Sequence, residues 1–353
     1  MNPYLGSGMG ALPPFLPTAV GSLPHTDPGA ACDLVVRWLP ELPAWPQLPR
    51  RDARERLPAQ FCRGFPGVVL EGGRVYVDRR QDLDAGLERL YARYLSKELE
   101  ASALDGDFAA GLERFLTLRP ESALAVKGQV LGPVSWGLTV TDQDRRALLY
   151  DEMLADAAAR YLHLQAAWQE RALRRLCAQT IIFVDEPYLA AFGSAYLAVE
   201  REEVQKLLEE VLAGIEGLKG VHCCGNTDWS LLLETSVDIL NFDAYDHAEA
   251  LSLYPQALRA FLDRGGIIAW GIVPTGSDAQ VMAESVGSLT ERLWGALRLV
   301  ASKGVPLDDL LAASLLTPAC GLGTLSEAAA SRALELLSGV SAQMRKTLGG
   351  EPP

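Results

Sequence analysis

The 353-residue chain is poor in positive charge: 32 Lys and Arg stand against 45 Asp and Glu, a net charge of −13. No basic cluster interrupts that acidic background, which argues against nucleic acid and anionic membrane surfaces as partners. No apolar run approaches the roughly 18 residues that a membrane span requires. The N-terminus carries no Lys or Arg before Arg37. It therefore lacks the charged region of a signal peptide, and the expected location is the cytoplasm. Six cysteines in a chain of this length do not make a disulfide framework. In a reducing compartment, grouped cysteines point instead to metal binding or catalysis. There is no short-period repeat and no low-complexity linker. The N-terminal dozen residues and the C-terminal GGEPP read as loose ends.

What is present is an apolar alternation. Hydrophobic residues make up 49% of the chain, enough for a large core. Eight apolar runs recur: FLPTAV (15–20), PAWPQL (43–48), ALAVKGQVL (123–131), TIIFV (180–184), LKGVHCC (218–224), VDILNF (237–242), GIIAWGIV (266–273) and LAASLL (311–316). Helical spacing fills the intervals, over 83–99, 144–176, 200–215 and 279–302. Ser277 with Gln280, and Thr324 with Glu327, read as capping boxes. Strands alternating with helices predict a parallel sheet, and eight such units predict a single-domain (β/α)8 barrel, with an open doubly wound sheet as the rival. The stretch 50–122 is too long for one connection. With its hairpin at 68–78, turning on Gly72-Gly73, it reads as an insertion between strands two and three, over the barrel mouth.

In such a barrel the chemistry sits at the carboxyl ends of the strands. There the runs end in Gly21-Ser22, Asp185-Glu186-Pro187, His222-Cys223-Cys224-Gly225-Asn226, Asp243 and the stretch Thr317 to Gly321. Side chains alternate along a strand, so His222 and Cys224 share a face and Cys223 faces the wall. An imidazole and a thiolate on one face suit zinc, and Cys320 at the last tip adds a third ligand with a fourth position open. Packing with a satisfied histidine is the plainer reading of the His-x-Cys pair alone. Asp243 is a candidate oxygen ligand or supporting carboxylate. Asp185 and Glu186 either cap a helix or receive a substrate ammonium. Gly21-Ser22 either makes a tight turn or offers N–H groups and a hydroxyl to a carboxylate. Cys32, Cys62 and Cys177 have no partner pattern and read as structural, as does His163. His247 stands alone, and His25 lies just past Gly21-Ser22, within reach of a site role. No triad-like catalytic motif is evident.

The stretches PTAVGSLPHT (17–26), KGQVLGPVS (127–135), FVDEPYL (183–189), HCCGNT (222–227), VDILNFD (237–243) and TPACGLGT (317–324) resemble the catalytic half of cobalamin-independent methionine synthase. They also resemble the related corrinoid-dependent thiol methyltransferases, in a superfamily of (β/α)8 barrels that includes uroporphyrinogen decarboxylases. The resemblance implies that His222, Cys224 and Cys320 bind zinc, with Asp243 where the family places a carboxylate. It implies that Gly21, Ser22 and Asp185 hold the amino-acid part of homocysteine. The activity implied is methyl transfer to that thiol, giving methionine. Methionine synthase has Glu where Asp243 stands, and its C-G-L-K-T-R reads Cys320-Gly321-Leu322-Gly323-Thr324 here, without the basic residues. The family's N-terminal half, which helps bind folate, has no counterpart in these stretches. A methyl-corrinoid, free or on a corrinoid protein, is thus the expected donor. Another acceptor such as coenzyme M, or a non-catalytic barrel binding zinc or a tetrapyrrole, are the rivals.

Overall fold

The computed structural model describes residues 12–348. The ends expected to be loose, apart from Leu12, lie outside the described residues. Ten strands occur in chain order: β1 (Leu16–Pro17), β2 (Val68–Glu71), β3 (Arg74–Val77), β4 (Val126–Leu131), β5 (Thr141–Asp142), β6 (Thr180–Asp185), β7 (Leu218–Cys223), β8 (Ile239–Asp243), β9 (Ile267–Val273) and β10 (Ser314–Pro318). Seven form one curled parallel sheet in the order β1-β10-β9-β8-β7-β6-β4. The first strand pairs with the last, and the order otherwise follows the chain without reversal. A doubly wound sheet reverses at a switch point, so that rival is set aside.

The run 43–48, expected as strand two, is not a ladder strand. It meets each sheet edge through one isolated bridge, Ala44 with Lys127 on β4 and Gln47 with Ser22 beyond β1. The Trp45 amide donates to the Lys127 carbonyl and the Gln47 amide to the Gly21 carbonyl. Pro43 and Pro46 have no N–H to give, which prevents a continuous ladder at these positions. The run 311–316 also divides. Its first residues finish the helix Leu307–Ala312, and β10 begins only at Ser314.

Alternation along the strands sorts the core. Ile181, Phe183, Ile239, Ala269 and Leu315 pack with Leu16 and Leu42 in one small cluster. Their neighbours Ile182, Val184, Val221, Cys223, Leu240, Phe242, Ile268 and Trp270 belong to the large cluster shared with the helices. The expected long helices form over Glu152–Leu173, Arg201–Leu212 and Val286–Ser302. Ser277 caps the short helix Asp278–Ala283 through the Gln280 amide. The expected Thr324 cap is displaced by two residues: Ser326 Oγ accepts from the Ala329 amide at the start of the helix Glu327–Leu348.

Within 50–122 the hairpin β2–β3 turns on Gly72 and Gly73, both at positive φ, where a side chain would be strained. β3 then pairs in parallel with β5, tying the hairpin back to the chain after β4. No helix among the described residues is long and apolar enough to cross a membrane.

Candidate metal centre and pocket

β7 carries His222 on the same face as the small inner cluster. Its register partner on β8 is Asn241. His222 is 2% exposed, and its Nδ1 lies 2.6 Å from Asn241 Oδ1. Asn241 Nδ2 donates to the Ala269 carbonyl at 2.8 Å and to Thr317 Oγ1 at 2.7 Å. With both amide hydrogens so directed, Asn241 Oδ1 is the acceptor and His222 Nδ1 carries the proton. The lone pair is therefore on Nε2, which is buried and has no hydrogen-bond partner.

That nitrogen faces two sulfurs. One ligand atom each of His222, Cys224 and Cys320 lies within 4.8 Å of the others, the one such group of three among the described residues. The Cys224 thiol is pulled down to about 4, first by a hydrogen bond from Cys320 and then by His222, against the cost of burial. Cys320 is pushed up as the donor of that hydrogen bond and by its own burial. An orphaned imidazole nitrogen beside a thiolate and a second thiol fits zinc, which prefers N and S donors.

The cluster opens on a cavity of about 440 Å³, whose lining includes Val20, Ser22, Asp185, His222, Cys224 and Cys320. Asp185 ends β6, is 7% exposed, and has an Oδ1 without a partner. Burial raises its pKa to about 6, restrained by the positive fields of His222 and Lys127. Lys127 lies fully buried on β4, its Nζ 2.7 Å from the Val20 carbonyl and 4.2 Å from the Phe183 ring centroid. Burial lowers its pKa to about 8.

Ser22 lines the cavity, and its hydroxyl accepts from the Gly323 amide at 3.3 Å. Its carbonyl accepts from the Leu322 amide. A Cβ on Gly321 would stand 2.1 Å from Ser22 Oγ, so the Cys320 loop closes on Ser22 only with glycine there. Gly21 lies behind this contact, its carbonyl taken by the Gln47 amide.

Two expected site residues stand elsewhere. Asp243 is not in the ligand group; its Oδ1 accepts from the Asp246 amide at 2.9 Å and closes a turn. Glu186 is fully buried and turned to the helix Pro133–Thr139, accepting from the Val134 amide and from both the amide and hydroxyl of Ser135. It caps that helix, and Gly132 leaves the room, since a Cβ there would fall 2.2 Å from Glu186 Oε1.

Cys223 is buried in the outer cluster as expected. Cys32 and Cys62 are buried free thiols and Cys177 a half-buried one. His163 Nδ1 lies 2.8 Å from the Glu210 carbonyl, on the helix Glu152–Leu173. His25 Nε2 lies 4.0 Å from Glu327 and outside the cavity lining, which also excludes His247.

Glu55 was not signalled by the sequence. It sits in the charged stretch Arg50 to Arg56, yet is 1% exposed and lines the cavity. Arg51 holds its Oε1, and its Oε2 has no partner.

No known family profile matches the chain, and no curated protein matches it in sequence. Solved structures do. A methyltransferase from Methanosarcina mazei aligns over 71% of this chain and 69% of its own, at 13% identity and TM-score 0.45. A B12-independent methionine synthase from Shewanella sp. W3-18-1, solved in complex with selenomethionine, aligns over 96% of this chain and all of its own, at 18% identity and TM-score 0.60. The chain therefore shares the fold of that methionine synthase along nearly its whole length.

Proposed function

We propose that this protein is a zinc-dependent methyltransferase whose acceptor is a thiol, homocysteine, and whose product is methionine. The carrying observation is the meeting, in one cavity, of an orphaned imidazole nitrogen, two cysteine sulfurs and a buried carboxylate with a free oxygen. The likeness to a methionine synthase solved with an amino-acid ligand supports the same reading. So does the reading of the sheet as a full (β/α)8 barrel, completed by the run 43–48.

His222, Cys224 and Cys320 would hold the ion. Bound zinc supplies Lewis acidity that favours a deprotonated thiol at neutral pH. The rest is done by the chain. Asn241 fixes the imidazole so that Nε2 is the donor. Asp185 receives the acceptor's ammonium, with the free oxygen of Glu55 on the same cavity. Ser22 holds the Cys320 loop in register and offers a hydroxyl to the acceptor's carboxylate. Orientation of the acceptor sulfur toward an incoming methyl carbon is the main contribution to rate. For the donor, the His222 to Thr227 stretch favours a methyl-corrinoid by resemblance, whereas the structural neighbour is by name B12-independent.

The test is metal analysis of the purified protein and of Cys320→Ser, followed by assays of methionine formation with methylcobalamin and with methyltetrahydrofolate in parallel. The expected result is one zinc per chain, lost with activity in Cys320→Ser. A metal-free wild type, or undiminished activity in Cys320→Ser, overturns the reading.

A further inference from the structure

The stretch Arg50 to Arg56 contains four arginines, and they divide into two kinds. Arg51 is paired with Glu55, and Arg54 with Asp52 and Asp107. Arg50 and Arg56 have no carboxylate within ion-pair distance among the described residues, and both line the cavity. Each spends one donor on a backbone carbonyl: Arg50 on Thr324 at 2.7 Å and Arg56 on Pro49 at 3.0 Å. The contacts tether both guanidiniums at the mouth while leaving most of their donors free.

In a chain of net charge −13, two unpaired, tethered cations on the cavity that also holds Asp185 and Glu55 make the pocket bipolar. The inner end favours a cation and the mouth an anion. An acceptor of amino-acid size leaves much of the roughly 440 Å³ free, within the range of about 300–1,000 Å³ that takes larger ligands. Guanidinium forks match carboxylate and phosphate oxygens.

We propose that Arg50 and Arg56 form an oxyanion-binding mouth that takes a carboxylate or phosphate group of a substrate. The inference rests on reading the cavity as a substrate site. Two sources share the chemistry: the acceptor's own carboxylate, or an anionic group of the methyl donor.

The experiment uses the full chain and the double variant Arg50→Gln/Arg56→Gln, with zinc content and melting temperature measured on both. Inorganic phosphate is titrated by calorimetry at low ionic strength, where screening is weak. The wild type binds phosphate, and the double variant, with unchanged zinc and melting temperature, binds it about tenfold or more weakly. Homocysteine and its carboxylate-free analogue 3-aminopropane-1-thiol are then titrated. Weaker binding of homocysteine alone in the double variant makes the acceptor's carboxylate the natural anion. Unchanged binding of both assigns it to the donor. Absence of phosphate binding in the wild type, or equal binding in the double variant, overturns the proposal. Zinc content is read separately, so failure at the mouth is distinct from failure of the metal centre.

Discussion

His222 and Asn241 face each other as register partners on β7 and β8, with Nδ1 and Oδ1 2.6 Å apart. The amide in turn is held by Ala269 on β9 and Thr317 on β10, so one hydrogen-bonded chain across four strands sets which nitrogen is free. Supporting groups of this kind are worth about 10–100-fold in metal affinity. Asn241→Leu should weaken zinc binding by that factor in a chelator competition, whereas Asn241→Asp, which keeps an acceptor for Nδ1–H, should hold most of it. Equal affinity in all three proteins would show that the orientation does not matter.

Asp185 lines the cavity with a buried, partnerless Oδ1, and the proposed function gives it the acceptor's ammonium. Asp185→Asn should lower kcat/KM for homocysteine by about 100-fold, from the loss of a buried charged hydrogen bond of about 2–3 kcal/mol. A thiol bearing a sulfonate and no ammonium should be spared. A uniform loss for both thiols would point to a structural role.

The same residue sets a pH dependence. Its pKa is raised to about 6, and only the ionised form receives an ammonium. Acceptor kcat/KM should therefore be full above that value and fall as pH drops through it. Lys127 restrains the rise, so Lys127→Met should move the acid limb to higher pH. A pH profile with an unmoved limb in Lys127→Met would detach the two residues.

Glu186 belongs to the scaffold. Glu186→Ala leaves the amides of Val134 and Ser135 without their acceptor in a buried place. The expected cost is about 1–3 kcal/mol of stability, read as a lower denaturant midpoint, with zinc content retained. Loss of zinc at unchanged stability would return Glu186 to the site.

The meeting of His222, Cys224 and Cys320 was legible because three features coincide: strand alternation puts His222 and Cys224 on one face, Cys223 on the other, and Cys320 at a strand tip. Asp243 and Glu186 were drawn in by the same tip logic, but strand ends also supply the side chains that close turns and cap the next helix. Asn241 and Lys127 escaped notice because each lies inside an apolar run, where periodicity reports only a strand. Glu55 is hidden for the opposite reason: among neighbouring charges, nothing local separates a buried carboxylate from a solvated one. The parallel alternation read from the runs was correct in kind. Its failures fall at Pro43 and Pro46, where the backbone has no amide to pair, and at 311–316, where an alanine-rich stretch serves a helix end and a strand start alike.

The single bridges at Ala44 and Gln47 divide responsibility within the pocket. His222, Asn241 and Thr317 are anchored in full ladders, whereas Arg50, Glu55 and Arg56 lie outside the sheet, on the loop and the single 3-10 turn Ala53–Glu55 just past that seam. A change at Arg50, Glu55 or Arg56 should therefore leave the grouping of His222, Cys224 and Cys320 in place.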